Sequence, residues 1–176
     1  MRARWPATRQ NGRASLQKCS LSPAPQDRLS IRALEIICVM STKHSTFTKV
    51  NLRRDVDDAA PKFGMPAEMH ARFARSAIAG ETLGLSLFSL DPNFRIPFGH
   101  KHESQEEVYV VVRGSGRIKV GDEVVELGEW DAIRIPKSTM RDVEAGPDGI
   151  EYLAFGAGDD PKEVEMTQGW WSDSGA

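Results

Sequence analysis

Gly99-His100-Lys101-His102-Glu103-Ser104-Gln105-Glu106-Glu107, closed by Gly114, is the stretch whose reading decides the fold. In an extended strand alternate side chains share a face, so His100 and His102 point one way and Lys101 the other. The run Glu107-Val108-Tyr109-Val110-Val111-Val112 then returns as a second strand and can set a carboxylate opposite the imidazoles. On that strand Tyr109 shares the face of Glu107, while Glu106 points away. Two histidines and one carboxylate are the ligand set of non-haem iron oxygenases and of several zinc hydrolases. A single histidine in a β-protein is more often a surface or hydrogen-bonded residue than a ligand, so the spacing carries the reading.

Working outward, short β-like runs follow one another with turn residues between them. Strands are expected at Phe47 to Val50, near Ala71 to Ala77, Leu83 to Leu90, Phe98 to His102, Glu107 to Arg113 and Gly116 to Val120. Further strands are expected at Glu123 to Leu127, Ala132 to Ile135, Met140 to Ala145 and Ile150 to Phe155. Asp55 to Lys62 reads as a loop or short helical turn, and Pro66 to Arg72 as a one-turn helix. Gly121-Asp122 reads as a hairpin turn, and Gly146-Pro147-Asp148-Gly149 as another. Many short strands at regular spacing indicate a sandwich or a closed barrel, not a βαβ fold.

These residues resemble the cupin family. Its first motif runs from a glycine to H-x-H, then to a glutamate after three or four residues and a glycine after six more; His100, His102, Glu107 and Gly114 match it. Glu106 is a rival for the glutamate, but only Glu107 leaves the six residues before Gly114. The second motif, a glycine followed by P-x-G-x-x-H, is framed by Gly128, Pro136 and Arg141. The resemblance spans residues 83 to 156. It departs from the pattern in two places: the first glycine of motif one falls on Phe94, and the histidine of motif two on Arg141. The resemblance implies an all-β fold, a double-stranded β-helix or jelly-roll barrel over residues 46–158. It also implies a divalent metal, Fe, Mn, Ni or Zn, on His100, His102 and Glu107, with the imidazoles turned inward.

Arg141 divides the functional readings. A guanidinium stays protonated and has no lone pair to donate, so it cannot replace a ligating imidazole. A unit positive charge about 4 Å from a divalent cation costs roughly 8 kcal/mol at an effective dielectric of about 20, twice the value for two unit charges. A bound metal therefore requires Arg141 to swing outward or to be neutralised by Glu107 or by a substrate anion. Two readings stay open. In one, the chain is a metal-dependent enzyme of oxygenase or isomerase type, with Arg141 clamping the substrate's anionic group and Tyr109 donating a hydrogen bond or proton. In the other, it is a metal-free binding module for a small anionic molecule, using Arg141, both histidines and Arg95 or Arg134; an architectural β-barrel with an unused pocket is a third, weaker reading.

Composition narrows the classes. Residues 1–39 carry seven Arg or Lys against two acids, a balance of +5; the remainder carries 16 against 23, a balance of −7, for the total of −2. An acidic body argues against a nucleic-acid groove, which needs a clustered basic face. Cys19 and Cys38 are the only cysteines, so no disulfide framework or CxxC metal site is present, and a reducing, cytoplasmic compartment is expected. Residues 1–42 are rich in Arg, Ser, Pro and Gln and read as a disordered leader, or as sequence upstream of a start at Met40. An organelle transit peptide has the same composition. Ile36 to Met40 is too short and too flanked by charge for a spanning helix.

The remaining residues read more blandly. His44 and His70 are expected to be structural or surface residues, and Arg95 to form a salt bridge. Trp130 is expected to pack at a turn. In the polar tail of residues 159–176, Trp170-Trp171 are expected to fold back onto the body, because each indole buries a large apolar area. Gly114, Gly116, Gly121 and Gly128 read as turn residues tolerant of positive φ. The resemblance also implies exposed sheet edges, and with them a homodimer.

Overall fold

The computed structural model describes residues 47–158 and 163–172; residues 1–46, with Cys19, Cys38, His44 and the expected leader, lie outside them. A 3-10 turn at Ala60–Phe63 precedes β1 (Met69–Phe73), β2 (Leu83–Leu90), β3 (Phe98–His102) and β4 (Glu106–Val120). β5 (Glu123–Leu127), β6 (Ala132–Ile135), β7 (Arg141–Ala157) and β8 (Val164–Gln168) follow. All eight form one antiparallel sheet in the order β1-β2-β7-β3-β8, with β4 pairing β5, β6 and β7. The sheet curls on itself as a jelly-roll barrel. Among the described residues no helix is long and apolar enough to cross a membrane.

β4 and β7 are the frame. They pair from Glu106 with Ala157 to Val120 with Arg141, and the register shifts between Val111 and Arg113 and again between Gly114 and Gly116. At the second shift Gly114 faces Ile150 while Gly116 faces Ala145, so residues 146–149 bulge out of β7 and pairing resumes with the same partner. The stretch Gly146 to Gly149 is therefore a bulge and not the expected hairpin, and four expected strands merge into two long bent ones. Gly114 has φ +76°, and a Cβ there would collide with the carbonyl oxygen of Gly149. Only glycine permits that approach. Gly121 is also at positive φ, whereas Gly116 and Gly128 are not.

Alternation along the strands builds the interior. Val111, Ile118, Ile135, Val143 and Ile150 are almost fully buried, each contributing about 1.5 to 3 kcal/mol relative to exposure. Tyr109 and Tyr152 pack with centroids 5.0 Å apart, and Tyr152 stacks on Phe88 at 5.1 Å.

Four other expectations are corrected. Phe47 to Val50 is not a strand, and Phe47 is exposed. Residues 66–68 form turns instead of a helix, and the first strand begins at Met69, so His70 lies on a strand, bonded to Asp58 at 2.7 Å. Trp130 is 75% exposed at φ +70° instead of packed. In the polar tail, Val164 to Gln168 forms β8, which pairs β3 along its length.

On the outer face of β3, β4 and β7, the two tail indoles cover a charged cluster. Trp170 lies against Gly99 and beneath the ammonium of Lys119, 4.6 Å from the ring centre. Lys119 is the cross-strand partner of Asp142. Trp171 carries Arg95 and Arg117 at 4.6 and 5.4 Å, and both arginines bond Glu144. Asp142 is 2% exposed, with Oδ1 lacking a hydrogen-bond partner among the described residues. Burial pushes its pKa up from 3.8 to about 7, opposed by the Val143 amide, Arg95 and Lys119 and assisted by Glu144.

A folded pKa above the unfolded one means that the folded state keeps a proton which the unfolded chain has released. Stability from Asp142 is full below the ordinary carboxylate range and declines as pH rises to the folded value, by up to about 1.4 kcal/mol per pH unit. We expect Asp142→Asn to gain stability over the wild type at pH 8 and little at pH 4. Denaturant titrations at both values measure the difference, and an equal effect at both removes the assignment.

Candidate functional site

β3 is a short strand with an inward row, and its alternation turns Phe98, His100 and His102 to the barrel interior. The two imidazoles meet edge to face, with centroids 5.6 Å apart. Glu107, near the start of β4, brings its carboxylate to them, and the ligand atoms of His100, His102 and Glu107 all lie within 4.8 Å of one another. The Nε2 of His102 is 3.5 Å from Oε1 of Glu107. Glu106, the rival acid, points outward and bonds Arg134 at 2.9 Å.

Arg141 completes the cluster from β7, in register with His100 on β3. Its side chain is 1% exposed. Nη2 bonds Oε2 of Glu107, Nε donates to the Tyr109 hydroxyl at 3.4 Å, and Nη1 reaches the carbonyls of His100 and Thr139 at 3.3 and 3.5 Å. The Tyr109 hydroxyl donates to Oε2 of Glu107 at 3.0 Å. The two oxygens of Glu107 thus have separate work: Oε2 takes Arg141 and Tyr109, and Oε1 faces His102.

Electrostatics follow from this burial. Burial lowers the pKa of His100 well below the usual imidazole range, and the charge of Arg141 and the neighbouring His102 lower it further. Burial also lowers His102, with Glu107 opposing and Arg141 assisting. Burial alone would lower Arg141, but Tyr109 and Glu107 hold it above its ordinary value. Burial and Glu107 raise Tyr109, so its hydroxyl keeps its proton and acts as a hydrogen-bond donor. At neutral pH both imidazoles are neutral, the guanidinium is charged and the phenol keeps its proton.

This donor set fits a divalent cation. The Nδ1 of His102 lies 3.1 Å from the carbonyl oxygen of Glu163, which can only accept, so the ring proton sits on Nδ1 and the lone pair of Nε2 faces inward. The buried Nδ1 of His100 has no hydrogen-bond partner among the described residues, an arrangement that costs free energy in a protein interior unless something else occupies it. Two neutral imidazoles and one free carboxylate oxygen are what a divalent ion requires.

Not every residue considered from sequence joins the site. Arg95 and Arg134 are engaged with Glu144 and Glu106 instead, Arg95 by the salt bridge expected of it. Two surface clefts lie elsewhere: one of about 180 Å3 between Arg53, His70, Arg72 and Glu151, the other of about 260 Å3 beside Arg117, Glu126 and Glu144. Glu163 escaped the sequence reading because it acts through its main-chain oxygen, which no residue type announces. Gln105, 5% exposed, lies against Gly156 and Gly158, where added Cβ atoms would come within 3.3 and 2.7 Å of its side chain.

Comparison with known proteins agrees with this geometry. Residues 86–149 match the family described as the cupin domain. No curated protein sequence matches the chain. Among solved structures, a cupin protein from Bacteroides fragilis is 22% identical, with 68% of this chain and 90% of that one covered and a TM-score of 0.53. KdgF from Halomonas sp. is 19% identical, with 66% and 96% covered and a TM-score of 0.51. Oxalate decarboxylase from Bacillus subtilis is 19% identical at a TM-score of 0.54; 72% of this chain aligns with 34% of it, so the match spans about a third of that enzyme. The likeness to these structures is one of fold. Residues 86–149 are similar to the cupin domain, and the barrel they build with the flanking strands has the cupin fold.

Proposed function

We propose that this protein binds a small anionic molecule inside the barrel, at a divalent cation held by His100, His102 and Glu107, with Arg141 anchoring the ligand's charge. The observation that carries the reading is the division of labour at Glu107, Oε1 toward His102 and Oε2 toward Arg141 and Tyr109. A carboxylate used from both sides lets a cation and a guanidinium share one acid without meeting directly. When bound, the cation supplies Lewis acidity to a coordinated ligand oxygen.

Charge counting favours this over the metal-free reading. Without a cation, Arg141 and Glu107 cancel, and the buried guanidinium has no surplus charge for an anion. With one, the site carries a surplus of two positive charges, which calls for a carboxylate, enolate or similar oxyanion. Arg141 and Tyr109 then orient Glu107 and steady the anion, and the buried setting excludes water that would screen these charges. Tyr109 supplies a fixed hydrogen bond. The metal-dependent chemistry to be sought is of oxygenase or isomerase type.

Metal content tests the reading directly. Protein purified without chelator should take up Fe, Mn, Ni or Zn stoichiometrically, and saturation at about 100 times Kd should raise stability by about 2.7 kcal/mol. Glu107→Ala or His102→Ala should abolish the gain, and Arg141→His, which adds a fourth donor, should tighten binding. Wild type that gains neither metal nor stability from any of the four ions would sink the proposal.

A second expectation concerns the pair itself. Removing one member of a buried ion pair strands the other, typically at a cost of about 3 to 5 kcal/mol. Glu107→Gln should cost that much in denaturant titration, and the double change Glu107→Gln with Arg141→Met should recover most of it. An additive double variant means that the two groups do not interact.

A further inference from the structure

We propose that residues 163–172 form a clamp that positions His102 for the cation, with the Glu163 carbonyl setting the ring and Trp170 holding the clamp down. This rests on the metal reading above.

β3, the strand that carries both imidazoles, has a single register pair with β7, His100 with Arg141. β8 pairs it along its whole length, Phe98 with Gln168 through His102 with Val164. The strand bearing the ligands is thus held at one edge chiefly by the tail. β8 itself is exposed at every position, so no buried apolar face holds it in place. Such elements are the first to open locally.

Several contacts beyond the ladder pin the segment. The N–H of Gly169 donates to the carbonyl of Pro97 at 2.8 Å. The Trp170 ring lies so close on Gly99 that a Cβ there would sit 2.6 to 2.9 Å from three of its ring atoms. Lys119 covers that ring, and Arg95 donates to the Trp171 carbonyl at 3.3 Å while stacking on its indole. Gly99 is the residue beside His100, so the ring that closes the clamp rests on the backbone of the ligand strand. At the other end, the Glu163 oxygen fixes the Nδ1 proton of His102 and leaves Nε2 to face Glu107. Trp170 and Glu163 are positioning residues, acting on the cation through His102.

Trp170→Ala removes the clamp, Gly99→Ala pushes it off sterically, and Trp170→Phe restores an aromatic ring. Far-UV circular dichroism checks that each variant keeps its sheet. Hydrogen exchange then reports on residues 164–168, and nitrogen NMR at pH 8 reads which ring nitrogen of His102 carries the proton. We expect both disruptive variants to lose protection over 164–168 and to mix the His102 tautomers, and Trp170→Phe to recover both signals. Zn2+ titration should weaken in the disruptive variants by about tenfold or more, the usual effect of losing a ligand's hydrogen-bond partner. Retained protection in both variants, or lost protection with an unchanged His102 tautomer, overturns the proposal. A wild type that takes up no Zn2+ counts against the metal reading, while the tautomer and exchange data still decide the clamp.

Discussion

A carboxylate shared between a buried guanidinium and a pair of imidazoles is the constraint on which the interior rests. Arg141 is buried as completely as the aliphatic core around it, and a lone cation in such a place would cost several kcal/mol of desolvation. Glu107 makes it tolerable, and Tyr109 and two main-chain carbonyls accept from three of its other four N–H groups. The same carboxylate is a candidate ligand. Its presence therefore has a structural reason that holds whether or not a cation is bound, so a glutamate at this position in a cupin-like barrel is not by itself a sign of metal. The sign lies with the histidines, whose neutral, inward-facing nitrogens contribute nothing to the ion pair.

The site was legible in the sequence because period-two alternation is a local rule. His100 and His102 share a face, Tyr109 joins Glu107, and Glu106 turns away, each as strand geometry dictates. The bounds of β2, β3, β5 and β6 were equally legible, since turn residues flank each run. What failed was the distinction between a hairpin and a bulge. Gly146-Pro147-Asp148-Gly149 has turn chemistry, but whether the chain reverses there or steps aside and resumes is decided by the partner strand, and β4 pairs β7 on both sides. β8 was illegible for the opposite reason: a strand exposed on both faces has no alternation to read, and only its edge-on pairing with β3 makes it one. The contact between Arg141 and Glu107, raised from sequence as a way to neutralise the guanidinium, is made across the barrel, because in the β4–β7 ladder Arg141 faces Val120 and Glu107 faces Gly156.

The tail links the outer face of the barrel to the inner one. Trp170 and Trp171 stack against Arg95, Arg117 and Lys119 on one side of the sheet, while His100, His102 and Glu107 lie on the other side. Because the covering segment also supplies the carbonyl that holds His102, changes in the outer charge cluster have a short mechanical route to the ligand strand, through Gly99 and the β3 to β8 ladder.

The adjacent pair Arg141 and Asp142 shows how firmly that register is fixed. The cation faces Glu107 inside, and the acid faces Lys119 and Arg95 outside. Slipping β7 by one residue would exchange the two faces. Asp142 would then enter beside Glu107, two buried carboxylates in one cluster, and Arg141 would join Arg95, Arg117 and Lys119 under the indoles. Both exchanges replace attraction by repulsion, in surroundings where water screens little. Hydrophobic alternation alone would favour the native register through Val143, Ala145, Ile150 and Tyr152; the opposed charges at Arg141 and Asp142 extend the same preference to the end of the strand that carries the site.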